Sequence, residues 1–166
     1  MKKYFFPFLI LAFSLMFTES LVFADESLSL KQIGPIAVLV EDLGDDGNKT
    51  GLTSEELKYF VELRLRQNGV KVRQLKDQTL ESPFLYVNLN VMYMEEIHHF
   101  IYSAEISLRH RVKLLRNNTI LSASTWDKAT LAITRENNSK VKMKDSLDTL
   151  LTFFLNDYLA SNSSKH

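Results

Sequence analysis

The chain has 166 residues and equal numbers of basic and acidic side chains, 20 of each, so it carries no net charge at pH 7 with neutral histidines. A general nucleic-acid or anionic-membrane binder usually has a basic excess, and the balance argues against both classes. The sequence has no cysteine, which excludes a thiol enzyme, a zinc–thiolate site and a disulfide scaffold.

The first 24 residues have the composition of a secretory signal peptide. Two lysines precede an apolar run from Tyr4 to Phe17, and Val22-Phe23-Ala24 provides small residues at the positions that a signal peptidase reads. The alternative is an uncleaved anchor, but a membrane helix needs about 20 apolar residues, and Glu19 interrupts this run. We predict cleavage near Ala24, a periplasmic or secreted bacterial protein, and no stable membrane anchor after cleavage.

The mature chain has a length and composition that suit one domain with its own core. The signal segment holds two lysines and one glutamate, so 18 basic and 19 acidic residues remain. We predict a flexible lead-in at residues 25–32, a single domain at residues 33–160, and a frayed tail at residues 161–166.

A strand–helix–strand unit is predicted to open the domain. The apolar run Ile36–Val40 is typical of a buried strand. After a polar loop, Thr53 and Glu56 have the spacing of a capping box, which predicts a helix that runs to about Asn68. A short strand is then expected at Val70–Val72, and the helix should pack back onto the sheet.

Three longer strands follow, because apolar and polar side chains alternate as they do along a half-buried strand. The predicted strands are Phe84–Tyr93, Tyr102–Leu115 and Ile120–Ile133, and an Asn-rich turn joins the last two. In the third strand the expected inner residues are Leu121, Ala123, Thr125, Ala129, Leu131 and Ile133. That assignment places Asp127 inside and Trp126 outside, and a β-bulge near Ser124–Asp127 would repair the conflict.

A second amphipathic helix is predicted from about Lys140 to Ala160, with one broad apolar stripe. The element order β-α-β-β-β-β-α indicates an α+β fold. We expect a two-layer sandwich with a mostly antiparallel sheet of about five strands and two helices on one face. The other face of such a sheet can remain polar.

The open sheet face supplies the candidate binding residues. By alternation it gathers Tyr86, Asn88, Arg109, Arg111 and, if no bulge intervenes, Trp126. Aromatic and arginine side chains are the usual anchors of a binding surface. The alternative is an ordinary solvated face, with Trp126 drawn into the core by the bulge.

The segment M-E-E-I-H-H holds the best metal candidate, His98-His99 beside Glu95-Glu96, since imidazole and carboxylate ligands suit zinc or copper. The alternative is a solvated hairpin loop, because adjacent histidines project in different directions. His110 falls on the inner side of its strand and is expected to be a core histidine.

Two weaker candidates lie after the first strand. Asp42, Asp45 and Asp46 form an acidic cluster, but the EF-hand order fails, and a soluble turn is the expected structure. A small anion could also bind between the Gly44–Gly51 loop and the start of the first long helix, where free amides favour negative charge. No nucleophile elbow, phosphate loop or dinucleotide fingerprint is present in the sequence, so no catalytic residue and no cofactor is predicted.

Four segments carry a resemblance: V-E-L-R-L-R-Q-N-G-V-K-V (Val61–Val72), L-Y-V-N-L-N-V (Leu85–Val91), S-T-W-D-K (Ser124–Lys128) and F-L-N-D-Y-L (Phe154–Leu159). Together they resemble a family of uncharacterised small exported bacterial proteins, which implies export but carries over no site. The element order is also similar to that of envelope-assembly accessory domains in periplasmic lipoproteins. This chain lacks their lipid-bearing cysteine, and likeness of fold alone is weak support for function.

The sequence therefore favours a non-catalytic periplasmic binding or envelope accessory domain over an enzyme. Its expected partner is another envelope protein, met through the open sheet face or a sheet edge, and not a nucleic acid. The alternative is a metal-binding protein or metal-dependent enzyme that uses the His98-His99 region. The oligomeric state stays open.

Overall fold

The computed structural model describes residues 26–74 and 82–163. The predicted signal peptide, its cleavage point near Ala24 and the last three residues of the predicted tail lie outside these ranges. None of the helices within them is long and apolar enough to cross a membrane.

The sheet has four strands in the order β1-β2-β3-β4, with β1 parallel to β2 and the other two pairs antiparallel. The strands are β1 (Ala37–Val40), β2 (Phe84–Met94), β3 (His99–Lys113) and β4 (Ile120–Arg135). The helices are α1 (Gly44–Asn48), α2 (Ser54–Gln67) and α3 (Ser139–Asn162). Short 3₁₀ helices lie at Glu26–Leu30, Glu95–Ile97 and Glu136–Asn138. The α+β prediction with a mostly antiparallel sheet is confirmed.

The predicted strand at Val70–Val72 is reduced to a single bridge, so the described part of the sheet has four strands and not five. Ile36 pairs with Val72 in parallel, and two backbone hydrogen bonds, from Ile36 N to Lys71 O and from Arg73 N to Ile36 O, hold the bridge. This bridge places the segment beside the start of β1, but a single bridge is not a strand ladder.

Both long helices pack on one face of the sheet and enclose a single core. Their buried side chains are Leu57, Val61, Leu65, Met143, Leu147, Leu150, Leu151 and Phe154. The sheet residues in the same core are Leu85, Val87, Leu89, Phe100, Tyr102, Ala104, Ile106 and Leu108. Their spacing is two along each strand and three or four along each helix, as predicted, because these periods keep side chains on one face.

A β-bulge interrupts the β3–β4 ladder where the sequence predicts one. Leu108 pairs with Trp126, whereas Arg109 pairs with Ser124, so Thr125 is the extra residue. The bulge brings Trp126 to the inner face and reverses the alternation of every residue that follows it. The predicted inner positions Ala129, Leu131 and Ile133 are therefore wrong. Leu131 is 75% exposed and Ile133 is 58% exposed.

The indole of Trp126 explains why the strand accepts this reversal. It is fully buried, its Nε1 donates a hydrogen bond of 2.9 Å to Asp157 Oδ2, and it packs edge-on against Phe154 at 5.1 Å between ring centroids. The largest side chain of the chain thus fills the core with its polar atom paired, which is the favourable way to bury a tryptophan.

The predicted flexible lead-in is a packed part of the domain. Leu30 is fully buried, and the end of α3 holds the backbone on both sides of it. Ser161 Oγ donates to Ser27 O at 2.7 Å. Asn162 Nδ2 donates to Leu30 O at 2.9 Å, and its Oδ1 accepts from Gln32 N at 2.8 Å. Ser161 and Asn162 are consequently ordered helix, and the predicted frayed tail begins too early.

The predicted capping box forms only in part. Thr53 Oγ1 accepts from Glu56 N at 3.1 Å, as a helix cap requires. The Glu56 carboxylate reaches across to α3 and accepts from Lys140 Nζ at 2.9 Å and from Lys144 Nζ at 3.2 Å. These lysines lower the pKa of Glu56 below its ordinary value of 4.5, and the carboxylate joins the two helices.

We expect Glu56→Gln to lower the free energy of unfolding at neutral pH by about 0.5–1 kcal/mol, the screened contribution of a part-exposed ion pair. Because folding lowers the pKa of Glu56, this contribution is present above pH 4.5. It is lost as the pH falls through the folded-state pKa. Urea unfolding across this pH range measures the difference. Glu55→Gln removes a charge from the same turn and is the control, and an equal pH-dependent loss in it would contradict the assignment.

We expect Trp126→Ala to lower the free energy of unfolding by about 3–5 kcal/mol, as truncation of a large core side chain does. Leu131→Ala in the same strand should change it by no more than about 0.5 kcal/mol. Urea unfolding followed by circular dichroism measures both. The opposite order of the two losses would show that the register after the bulge is incorrect.

Candidate functional site

The sheet face turned away from α2 and α3, called the outer face below, carries four of the five predicted binding residues. Across the ladder Tyr86 lies opposite Ser107, and Asn88 lies opposite Glu105. Arg109 follows two positions after Ser107 and points the same way. Arg111 continues that row and is exposed. These four residues, Tyr86, Asn88, Arg109 and Arg111, form what we call the outer patch.

Trp126 does not belong to the outer patch, which corrects the sequence prediction. The bulge at Thr125 turns its indole to the opposite face, where it is fully buried. A side chain enclosed by the core cannot meet a partner at the surface. The alternative weighed from the sequence, a tryptophan drawn inward by the bulge, is the observed arrangement.

Arg109 and Tyr86 form a stacked pair at the centre of the outer patch. The Arg109 Cζ lies 4.0 Å from the centroid of the Tyr86 ring, within the range of a cation–π contact. Tyr86 as a whole residue is only 9% exposed. A hydrogen bond from the phenol to Glu41, just after β1, raises the pKa of Tyr86 above its ordinary value of 10.0. Tyr86 thus contacts a guanidinium at its ring and a carboxylate at its hydroxyl.

Two polar side-chain atoms of β3 on the outer face have no hydrogen-bond partner in the described part of the chain. They are the Ser107 hydroxyl and Arg109 Nε, and both are buried. A buried donor without an acceptor costs about 1–3 kcal/mol. Because both atoms are buried, this is a cost within the fold and not a contact point for another molecule.

An apolar row crosses the outer face beyond the outer patch, and the sequence analysis missed it. Met92 pairs with Ile101, Ile101 pairs with Ile133, and Leu131 lies on the same face two residues before Ile133. Met92 is 53% exposed. The predicted bulge could have revealed this row. If Trp126 lies inside, alternation after the bulge turns Leu131 and Ile133 to the outer face.

The predicted metal candidate lies in the β2–β3 hairpin. Tyr93 Oη donates to Glu136 Oε2 at 2.9 Å, which raises the pKa of Tyr93, and it lies 3.2 Å from His98 Nδ1. His99 Nδ1 instead contacts the carbonyl of Ile97, so the two imidazoles diverge as expected.

These groups border an open recess of about 590 Å³ lined by Ile97, His98, His99, Arg135, Glu136 and Asn137. Across residues 26–74 and 82–163, no group of three histidine, aspartate or glutamate side chains is arranged to hold a metal ion. His98, Tyr93 and Glu136 therefore form a hydrogen-bonded cluster at the hairpin. The described residues do not bring a third His, Asp or Glu side chain to it as a metal ligand.

The acidic cluster is used within its own turn. Asp42 Oδ1 accepts from Gly44 N at 2.7 Å, and Asp46 accepts from both Lys49 Nζ and Tyr93 N. The hydrogen bond from Lys49 is the largest cause of the lowered pKa of Asp46. The predicted Gly44–Gly51 loop contains α1, and the Thr53 side chain already accepts from an amide at the start of α2. Neither a cation site nor an anion site is favoured there.

His110 lies on the inner side of β3, as predicted. Its Nε2 is 2.9 Å from Thr125 Oγ1, and burial lowers its pKa. The histidine thus contacts the extra residue of the bulge and supports the structure of the strand pair.

Comparison with known proteins gives a distant structural likeness. No family model and no curated protein matches the chain. A crystal structure of a minor lipoprotein from Acinetobacter baumannii is similar at a TM-score of 0.31 and 12% identity, over 76% of this chain and 84% of that one. A likeness this low carries no argument about function.

We expect Glu41→Gln to lower the pKa of Tyr86 toward 10.0, because the hydrogen bond to the Glu41 carboxylate is the largest cause of its rise. Tyrosinate absorbance, taken as the difference from a Tyr86→Phe background, measures this pKa. Glu105→Gln is the matched control, since Glu105 contributes least. An unchanged pKa of Tyr86 in the Glu41→Gln variant would show that Glu41 is not the hydrogen-bond partner of Tyr86.

Proposed function

We propose that the protein is a non-catalytic binding module of the bacterial cell envelope that meets another envelope protein through its outer face. The observation that carries this proposal is the apolar row Met92–Ile101–Ile133 on the same sheet face as the stacked Tyr86–Arg109 pair. Contiguous exposed apolar side chains flanked by polar ones are typical of protein interaction surfaces.

The outer face suggests the chemistry of the partner. One end carries Arg109, Arg111 and Lys113, which alternate along β3 and point the same way. The other end carries the apolar row. A partner that sets a carboxylate against Arg109 and aliphatic side chains against Met92 fits both ends. The stacked ring and guanidinium are pre-ordered, so little side-chain entropy is lost on binding.

Location in the envelope is supported by two sequence features. The first 24 residues have the signal-peptide pattern, and the quoted segments resemble exported bacterial proteins. A partner in the same compartment is then the one that the outer face can reach.

The test places a photo-crosslinking amino acid at Met92 or at Arg111 in the full chain, expressed in its native envelope. Both positions are exposed on the outer face. Tyr59, which is 67% exposed on α2 in the other layer, is the matched control position. We expect adducts with a second protein at Met92 and Arg111 and none at Tyr59.

Arg109→Glu combined with the probe at Met92 should reduce the adduct by about tenfold, the effect of losing about 1.4 kcal/mol of binding free energy. Adducts of equal yield at Tyr59, or an unchanged yield with Arg109→Glu, would show that the outer face is not the binding surface. Circular dichroism of the Arg109→Glu protein confirms that it is folded.

A further inference from the structure

The outer edge of the sheet is a long strand without a neighbour in the described part of the chain. β4 has 16 residues, contains no proline and, among the described strands, pairs only with β3. Unpaired strand edges of this length are templates for pairing with another chain unless something covers them.

The 3₁₀ helix Glu26–Leu30 contacts this edge at Thr125 and Lys128. Ser29 Oγ, from the 3₁₀ helix Glu26–Leu30, donates to the carbonyl of Thr125 at 3.1 Å, and Glu26 forms an ion pair with Lys128 at 3.0 Å. No ion pair involves Asp127 or Arg135 in the described ranges. Although the Lys128 side chain reaches Glu26, no second strand pairs with the backbone of Asp127–Arg135 in the described ranges, and Asp127 and Arg135 have no ionic partner there.

We propose that two copies of this chain pair antiparallel through β4, about a two-fold axis at Leu131, to form one continuous sheet of eight strands. A two-fold axis between neighbouring strands stands perpendicular to the sheet and keeps the outer faces of both copies on one side. Each outer residue then lies opposite an outer residue. The two-fold axis must therefore pass beside a residue that faces its own copy, and not between two residues.

Charge complementarity selects Leu131 as the centre. With Leu131 opposite its own copy, Asp127 lies opposite Arg135 of the second copy, and the same pair forms again at the other end. Directly opposite charges of unlike sign stabilise a strand pair. A centre at Thr130 would set Asp127 against Ile133, and a centre at Ala132 would set Arg135 against Ala129, so the neighbouring registers leave the charges unmatched.

The apolar side chains fit the same register. Leu131 meets Leu131 at the axis, and Ile133 lies opposite Ala129 of the second copy. Leu131 and Ile133, which are 75% and 58% exposed, gain apolar contact on pairing. The register thus satisfies backbone, charge and apolar groups together. A single strand pair is a small interface, so we expect a dissociation constant in the micromolar range.

Sedimentation equilibrium of the exported protein, between about 10 µM and about 500 µM, tests the proposal. We expect the average mass to rise toward that of a dimer. Asp127→Arg sets an arginine opposite Arg135 of the second copy, and Arg135→Asp sets an aspartate opposite Asp127. Each single variant should therefore weaken the dimer by at least about tenfold.

Restored complementarity is the control for folding. The double variant Asp127→Arg with Arg135→Asp should dimerise as the original chain does. An equal mixture of the two single variants should form a heterodimer, because one copy is then basic and the other acidic at both positions. A monomeric original chain at every concentration, or single variants that dimerise unchanged, would overturn the proposal. Neither result depends on the envelope partner, whose adducts at Met92 are scored separately.

Discussion

The burial of Trp126 is the constraint on which the rest of the structure depends. Its indole occupies the core against Phe154 and donates to Asp157 of α3, and it reaches that position only because Thr125 is an extra residue in β4. Every residue of β4 after Thr125 then takes the opposite face from the one it would have in a regular ladder. Leu131 and Ile133 point outward as a direct result.

The long strands, the two long helices and the fold class could be predicted from the sequence, because each rests on a local pattern. Alternation along β2 and β3, the helical spacing in α2 and α3, and the conflict between Trp126 and Asp127 are all visible within short segments. The faces of β4 after the bulge could not be derived in the same way. The inward and outward positions after the bulge depend on whether Trp126 or the pair Leu131 and Ile133 is buried. Trp126 is buried because α3 supplies its contacts with Phe154 and Asp157.

The other differences from the sequence analysis have the same origin in long-range contacts. Residues 26–32 look like a polar linker, yet Asn162 holds the backbone at Leu30 and Gln32 from the far end of the chain. Glu56 looks like half of a local cap, yet its carboxylate binds two lysines of α3. In each case a polar side chain has a local and a distant partner available, and the packing of α3 decides between them.

The bulge therefore links the stability of the fold to its surfaces. Full burial of an aliphatic side chain stabilises a fold by about 1.5–3 kcal/mol. Leu131 and Ile133 are exposed and lack this stabilisation, because the bulge that turns them outward buries Trp126 with its polar atom paired. The forgone stabilisation remains available to any molecule that covers these side chains. A partner on the outer face reaches Ile133 through the apolar row, whereas a second copy reaches Leu131 from the edge. By turning Leu131 and Ile133 outward, one bulge supplies both a binding face and an edge for self-association.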